Sequence, residues 1–417
     1  MKRAARRGVW KSGRMSDNAW CYGIEVVAMI LRSVAVGVLL SACCGCLGVE
    51  DQWFSPGSSE WKTVNPDFSI TVPGRHKVLI GVFDSGVDYT HPALVPAMHY
   101  NDSELHGRAG LDDDGNGFVD DFLGYDFTGM DGFPFYAVFL KSTGTRDRRA
   151  EKFYLAHGTH VSGIAVRGCA DIGIVPYRVL PVSKNSATLR RDGPAATDDA
   201  ALLREGIGYL QRAVEHAVAW NRTKGPMIRV INISIMYMPD DSLGIPLALV
   251  KKYFAPLEKL MRTEAREILF VAAAGNDKKD ISAAAARYPC QINAPNVLCV
   301  GAVDDSGALT DFSNFGLKFI DIFAPGQDIL SAVPVETADD PKNAFDTDSG
   351  TSMASPFVAR VAARMFAVNP SLGVAGAVRI IKRTAARRIA PVQAGHMKKP
   401  RYHYRVVDEA RAVAGVL

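Results

Sequence analysis

From Lys77 onward, short uninterrupted apolar runs alternate with stretches whose apolar residues recur at helical spacing. The runs predict strands over 78–83, 172–182, 229–235, 268–274 and 297–303. Helices are predicted over 158–167, 199–219, 247–266, 353–367 and 374–385. Strands that are apolar along their whole length and separated by helices belong to a mostly parallel sheet covered on both faces. The fold class is therefore α/β, doubly wound. Stretches 129–153 and 183–198 are polar or irregular and are expected as surface insertions. Residues 44–76 mix Gly, Pro, Ser and Trp without periodicity, as a tether would.

Charge changes the picture only at the N-terminus. The 417 residues carry a formal net charge of +4. Seven basic side chains lie within residues 1–32 against Asp17 and Glu25, so the body is near neutral and gives no sign of a nucleic-acid partner. An uncharged stretch over 33–49 follows, then Glu50 and Asp51. Within it, Leu40-Ser41-Ala42-Cys43 resembles a bacterial lipoprotein signal, with Cys43 lipidated as the mature N-terminus. Met29 is the more usual start for such a signal, since it leaves Arg32 ahead of a short apolar core. An uncleaved anchor is the competing reading, but an uncharged span of about 17 residues interrupted by Gly37, Gly45 and Gly48 is marginal for crossing a bilayer. Ordinary signal cleavage is the third.

The expected organisation is a leader over 1–42, a lipid-anchored tether over 43–76 and one folded domain over 77–417, exported and held at the periplasmic or cell-surface side of a membrane. Of seven cysteines, Cys21, Cys43, Cys44 and Cys46 belong to the leader and its edge, and Cys169, Cys290 and Cys299 to the body. In an oxidising compartment Cys290 and Cys299 suit a disulfide; spacing alone leaves two buried thiols as the alternative.

Four segments place chemistry beside apolar runs. Val78 to Asp84 is an apolar strand ending in a carboxylate, followed by Ser85-Gly86, and strand carboxyl ends are where open α/β sheets build sites. Asp84 is there either to orient a histidine or to close a turn. His157-Gly158-Thr159-His160 opens a helix of small residues, with glycine permitting close backbone approach. Its two histidines three apart also suit metal ligation, although no cysteine or helical carboxylate completes a zinc spacing. Ser349-Gly350-Thr351-Ser352 enters an apolar helix, with Pro356 expected in its first turn. Ser352 is a cap or a nucleophile whose oxyanion meets free amides at the helix start. Ala273-Ala274-Gly275-Asn276 ends another strand with an amide that could donate to a tetrahedral intermediate.

The order Asp, His, Ser along the chain is one of the three unrelated orders in which such triads occur. Together with Asp84-Ser85-Gly86, His157 to Gly163, Gly350 to Pro356 and Ala273 to Asn276, it makes residues 75–415 resemble the subtilisin family of serine peptidases. Phe312-Ser313-Asn314 and Ala324-Pro325-Gly326 add to the likeness. The resemblance implies endopeptidase activity on protein or peptide substrates. Ser352 would be the nucleophile, His157 the base, Asp84 its orienting carboxylate, and Asn276 with the Ser352 amide the oxyanion donors. Ser234, Ile235, Met236 and Gly275 would line the substrate cleft.

The chain departs from that pattern at Met236, where the family carries a glycine that leaves room for a substrate side chain. A small-side-chain preference or low activity on generic substrates is expected. Arg360 replaces another glycine on the serine helix, and nothing in the sequence says what it gains. About 40 residues separate Cys43 from Asp84, too few for the pro-segment that many relatives carry. No cofactor is expected for catalysis. A structural calcium is expected at Asp112, Asp114, Asn116 and Asp120, which match much of a calcium loop; Leu123 stands at its twelfth position and Asp121 is a candidate substitute. A solvated acidic turn is the alternative. Residues 379–405 hold nine Lys/Arg and no acid, either a solvated face or a contact for anionic lipid. The runner-up function is a catalytically weak binding lipoprotein on the same scaffold.

Overall fold

The computed structural model describes residues 76–136, 148–180, 199–223, 225–282, 286–335, 337–338, 344–391 and 401–417. The leader, Cys43 and the tether up to residue 75 lie outside them, as does the expected insertion at 183–198. Among the described residues no helix is long and apolar enough to cross a membrane.

A nine-stranded sheet organises the body. Its strands are β1 (Val78–Asp84), β2 (Tyr125–Asp126), β3 (Ile172–Arg178), β4 (Ile228–Ile233), β5 (Leu269–Ala273), β6 (Val297–Val303), β7 (Ile322–Pro325), β10 (Ala386–Pro391) and β11 (Arg401–Val406). They lie in the order β10-β11-β7-β6-β5-β4-β1-β3-β2. All neighbours pair parallel except β10 with β11. A separate antiparallel pair joins β8 (Ile329–Ala332) to β9 (Phe345–Asp348). Every residue of β1, β5 and β6 is buried, which explains their unbroken apolar sequences.

The helices are α1 (Asp102–Leu105), α2 (Arg148–Val166), α3 (Asp199–Trp220), α4 (Leu247–Thr263), α5 (Thr351–Val368), α6 (Val374–Thr384) and α7 (Glu409–Ala414). Alternate strand residues such as Phe83, Tyr177, Ile231 and Phe270 pack with Leu210 and Val214 of α3 and Phe254 of α4. Helix α5 runs over β4, β5, β6 and β7, with α2 beside it. From β1 the chain moves outward to β3, then returns to β4 on the other side of β1 and continues through β7. That reversal opens a crevice at the carboxyl ends of β1 and β4.

Three expectations needed adjustment. Helix α2 begins at Arg148, ahead of the expected start at residue 158, so part of the expected insertion is helical and His157 sits inside a helix. Gly158 makes the close backbone approach expected of it: a Cβ on it would lie 2.1 Å from the Gly86 carbonyl oxygen. Strands β2, β7, β8, β9, β10 and β11 were not expected at all. Pro356 is the sixth residue of α5 and not in its first turn, because the helix starts at Thr351. Cys290 and Cys299 are joined by a disulfide, with Cα atoms 4.8 Å apart.

Candidate active site

Asp84 ends β1 at the crevice, and its side chain is fully buried. A carboxylate only accepts, so the 2.7 Å contact between its Oδ1 and His157 Nδ1 is an N–H donated by the imidazole. That assigns the tautomer, leaving Nε2 with its lone pair. The Ser85 amide donates to the same carboxylate oxygen at 2.7 Å. Thr159 Oγ1 accepts from the Asp88 amide at 2.9 Å, fastening the loop after β1 to α2. Burial works against a charged His157. The Asp84 carboxylate outweighs it, with Asp348 adding its field, and the pKa rises above the ordinary histidine range. His160 differs: burial lowers its pKa to about 4, and its Nε2–H donates to the Asp346 carbonyl at 3.1 Å. The two rings donate to separate acceptors, and among the described residues neither histidine joins a group of three His, Cys, Asp or Glu side chains able to hold a metal.

Ser352 is the second residue of α5, where helix amides have no intrahelical acceptor. Its hydroxyl donates to the Ser234 carbonyl oxygen at 3.1 Å, and the Ser234 hydroxyl donates to the Ser352 carbonyl oxygen at 2.8 Å. In a regular helix residue 356 would serve that carbonyl, but Pro356 has no N–H. Behind the pair, Asn232 Nδ2 donates to Ser234 Oγ at 2.9 Å and the Ser355 hydroxyl donates to Asn232 Oδ1 at 2.7 Å. A buried polar network therefore seats the serine helix on β4.

Asn276 follows β5 through Gly275, whose φ of +95° suits glycine. Its Oδ1 accepts from both the Thr351 amide and the Thr351 hydroxyl, each at 2.9 Å, so Nδ2 remains the donor end. That nitrogen lies 3.2 Å from where a Cβ on Gly350 would stand, beside the start of α5. Thr351 Oγ1 also accepts from the Gly275 amide at 3.0 Å. The sequence showed Thr351 only as the residue between glycine and serine, and gave no sign that it orients Asn276.

Along the cleft wall after β4, Ile235 is turned into the core while Met236 is half-buried. A Cβ on Gly275 would come within 2.6 Å of Met236 Sδ, so the thioether lies directly over that glycine.

The acidic loop assembles differently from expectation. Glu104, Asp112 and Asp114 bring carboxylate oxygens within 4.8 Å of one another. Glu104, in α1, was missed because it precedes the acidic run. Asp120 instead accepts the Gly110 amide with both oxygens, at 3.1 and 2.8 Å. Asn116 Oδ1 accepts from the Phe118 amide at 2.8 Å. Asp121 accepts from His216 Nε2 at 2.8 Å and from the Asn101 and Asn116 amides. Burial raises the carboxyl pKa of Glu104 against the backbone N–H groups that lower it, and burial likewise raises that of Asp114. Three converging carboxylate groups, Glu104, Asp112 and Asp114, fit a hard cation with oxygen preference.

Arg360 finds its outlet in the C-terminal helix. One of its guanidinium nitrogens lies 2.7 Å from Glu409 Oε2, and Arg364 reaches Oε1 at 3.0 Å. The guanidinium also sits 4.5 Å from the centre of the Phe357 ring. Of the basic run, Lys382 pairs with Asp321, and Tyr402, Tyr404 and Val406 of β11 turn inward onto Phe323.

Residues 75–404 match the model of the subtilase family. Subtilisin-like protease 1 of Plasmodium falciparum is 30% identical over 330 residues, covering 74% of this chain and 40% of that protein. The halolysin-like extracellular serine protease Nep of Natrialba magadii is 29% identical over 299 residues, covering 72% and 42%. The chain thus spans about two fifths of the length of these curated relatives. Among solved structures, a lanthipeptide protease aligns with TM-score 0.54 at 18% identity, covering 82% of this chain and 89% of that one. A protease from Pseudoalteromonas arctica aligns with TM-score 0.53 at 20% identity, covering 82% and 91%. At these identities the structural likeness speaks to fold, while the family match rests on the motif-bearing sequence itself: the chain belongs to the subtilase family.

Proposed function

We propose that this chain is a serine endopeptidase cutting exported or surface proteins, with Ser352 as nucleophile, His157 as general base and Asp84 as its orienting carboxylate. The observation that carries the reading is the buried 2.7 Å bond from His157 to Asp84, which leaves Nε2 basic at the crevice where α5 delivers Ser352. Rotation about its Cα–Cβ bond takes Ser352 Oγ from its resting acceptor, the Ser234 carbonyl, to the imidazole. The proton passes to Nε2 as Oγ attacks the substrate carbonyl, and from there to the leaving amine. Asn276 Nδ2 and the Ser352 amide stabilise the oxyanion, where loss of one donor costs about 10²–10³ in turnover. The protease names of the relatives support the same reading.

Calcium is proposed as a structural ion, with Glu104, Asp112 and Asp114 as the residues that would hold it. Its charge would offset the repulsion among these carboxylates. The leader reading, lipidation at Cys43 and retention at the outer side of a membrane, is proposed from the sequence alone.

A fluorophosphonate probe tests the catalytic reading. The folded chain is expected to label covalently, and Ser352→Ala to abolish labelling. A folded protein that stays unlabelled would overturn it in favour of a binding role.

A further inference from the structure

The acyl carbonyl oxygen of a substrate sits, on the reading above, between Asn276 Nδ2 and the Ser352 amide. The side chain of the residue supplying that carbonyl leaves the backbone one bond away. It must enter the space between segment 234–236 and segment 274–276. What fills that space decides which residue can be cut after.

Strand-like alternation continues past β4, so Ser234 and Met236 share the crevice face while Ile235 and Tyr237 point the other way. Ile235 lies in the core, and the Tyr237 ring packs 5.7 Å from that of Phe254. Met236 reaches across to the opposite wall: a Cβ on Gly275 would lie 2.6 Å from its Sδ and 3.2 Å from its Cε. Glycine at 275 is the only residue that leaves room for this thioether. The gap is therefore spanned by a side chain of the enzyme itself.

Tyr237 and Tyr288 exchange backbone hydrogen bonds of 2.7 and 2.9 Å in antiparallel register, which sets Pro289 opposite Met236 and Arg287 opposite Met238. Arg287 is buried, and its Nε donates to Asp277 Oδ2 at 2.9 Å. Asp277 directly follows Asn276, and the same oxygen accepts from Asn314 Nδ2 at 3.2 Å. This ion pair ties the residue after Asn276 to the segment around Arg287.

We propose that Met236, lying across the cleft onto Gly275, is the specificity-determining residue of this site. It makes the pocket shallow and selects substrates with glycine, alanine or serine at the scissile carbonyl. Methionine is unbranched and adaptable, so the selection is graded and not absolute. The proposal rests on the serine-peptidase reading.

The test is a series of internally quenched peptides identical except at that residue, which is alanine, serine, leucine or phenylalanine. They are assayed with the full chain, Met236→Gly and Met236→Ala, each also titrated with the fluorophosphonate probe. The wild type is expected to favour alanine over phenylalanine by about 100-fold in kcat/KM, the scale at which pockets reject misfitting apolar groups. Either variant is expected to bring that ratio within about tenfold, a change in selectivity that general destabilisation would not produce. A wild type that labels with the probe and cuts after phenylalanine as fast as after alanine overturns the proposal and leaves the peptidase reading standing. A selective wild type whose variants keep the same ratio overturns the assignment to Met236. A protein that neither labels nor cleaves overturns both. If the glycine variant does not fold, the wild-type series and Met236→Ala still decide.

Discussion

Ser234 and Ser352 hold each other reciprocally, each hydroxyl donating to the other's carbonyl oxygen, at 2.8 and 3.1 Å. The first bond exists because Pro356 cannot serve the Ser352 carbonyl, so a helix defect becomes an anchor between β4 and Ser352. Ser234→Ala should leave that carbonyl without its donor and Asn232 Nδ2 without its acceptor. The expected cost is about 1–3 kcal/mol, read as a lower urea midpoint with an unchanged slope. Pro356→Ala restores a helix N–H for the same carbonyl, so the double variant should lose less than the sum of the two single changes. Strict additivity would show that the two groups do not share the carbonyl.

The pH dependence of His157 has a defined sign. Burial opposes its charge, and Asp84 and then Asp348 raise its pKa on balance. On the proposed mechanism His157 must be neutral to act as base, so probe labelling should rise as pH climbs through that raised value. The stability from the imidazolium–Asp84 contact runs the other way: it is present at low pH and lost over the same rise. Asp348→Asn removes one raising charge without touching the Asp84 bond. The acid limb of the labelling rate should then move to lower pH, while the plateau rate is retained. An unmoved limb would mean that Asp348 does not act on the imidazole.

Calcium makes a prediction that separates the loop's residues. Chelation should lower the thermal midpoint reversibly, since an ion at 100 times its Kd stabilises by about 2.7 kcal/mol. Glu104→Gln or Asp112→Asn should abolish the response. Asp120→Asn should retain it, because that carboxylate lies outside the cluster formed by Glu104, Asp112 and Asp114. The raised carboxyl pKa values of Glu104 and Asp114 mean that protons compete, so the effect should shrink as pH falls through them. A calorimetric scan with and without chelator at two pH values measures all of this.

What the sequence made legible follows from how each feature is encoded. Strands β1, β4, β5 and β6 announce themselves because both faces are buried and nearly every residue must be apolar. Asp84 and Asn276 stand at or just past the ends of such runs, His157 sits beside a glycine required by close approach, and Ser352 follows Gly350-Thr351 at the helix start. Strand β11 was hidden: Tyr402, Tyr404 and Val406 face inward, but the intervening Arg and His residues read as a charged run. Partners distant in sequence were equally silent. Nothing near Asp112 points to Glu104, nothing near Asn276 points to Arg287, and Pro356 reads as a tolerated helix start until the helix is seen to begin at Thr351. Spacing records local geometry, whereas these contacts depend on where the sheet brings separate segments together.

Arg360 is the clearest such case, since its partner Glu409 lies 49 residues away in α7. Burial would raise the Glu409 carboxyl, and Arg360 with Arg364 holds it below the ordinary range instead. Replacing one member of a buried pair strands the other, so Glu409→Gln should cost about 3–5 kcal/mol. Arg360→Met combined with Glu409→Leu removes both charges from a site where Arg360 is 7% exposed and Glu409 12%. That double variant should recover most of the loss, because Arg364, 29% exposed, can turn to solvent. The wild type should also lose stability as pH falls through the depressed Glu409 pKa, and the double variant should lack that contribution. Urea unfolding of the three proteins at neutral and acid pH decides it. A double variant as unstable as Glu409→Gln would mean that α7 is held to α5 by packing around Phe357 and not by this pair.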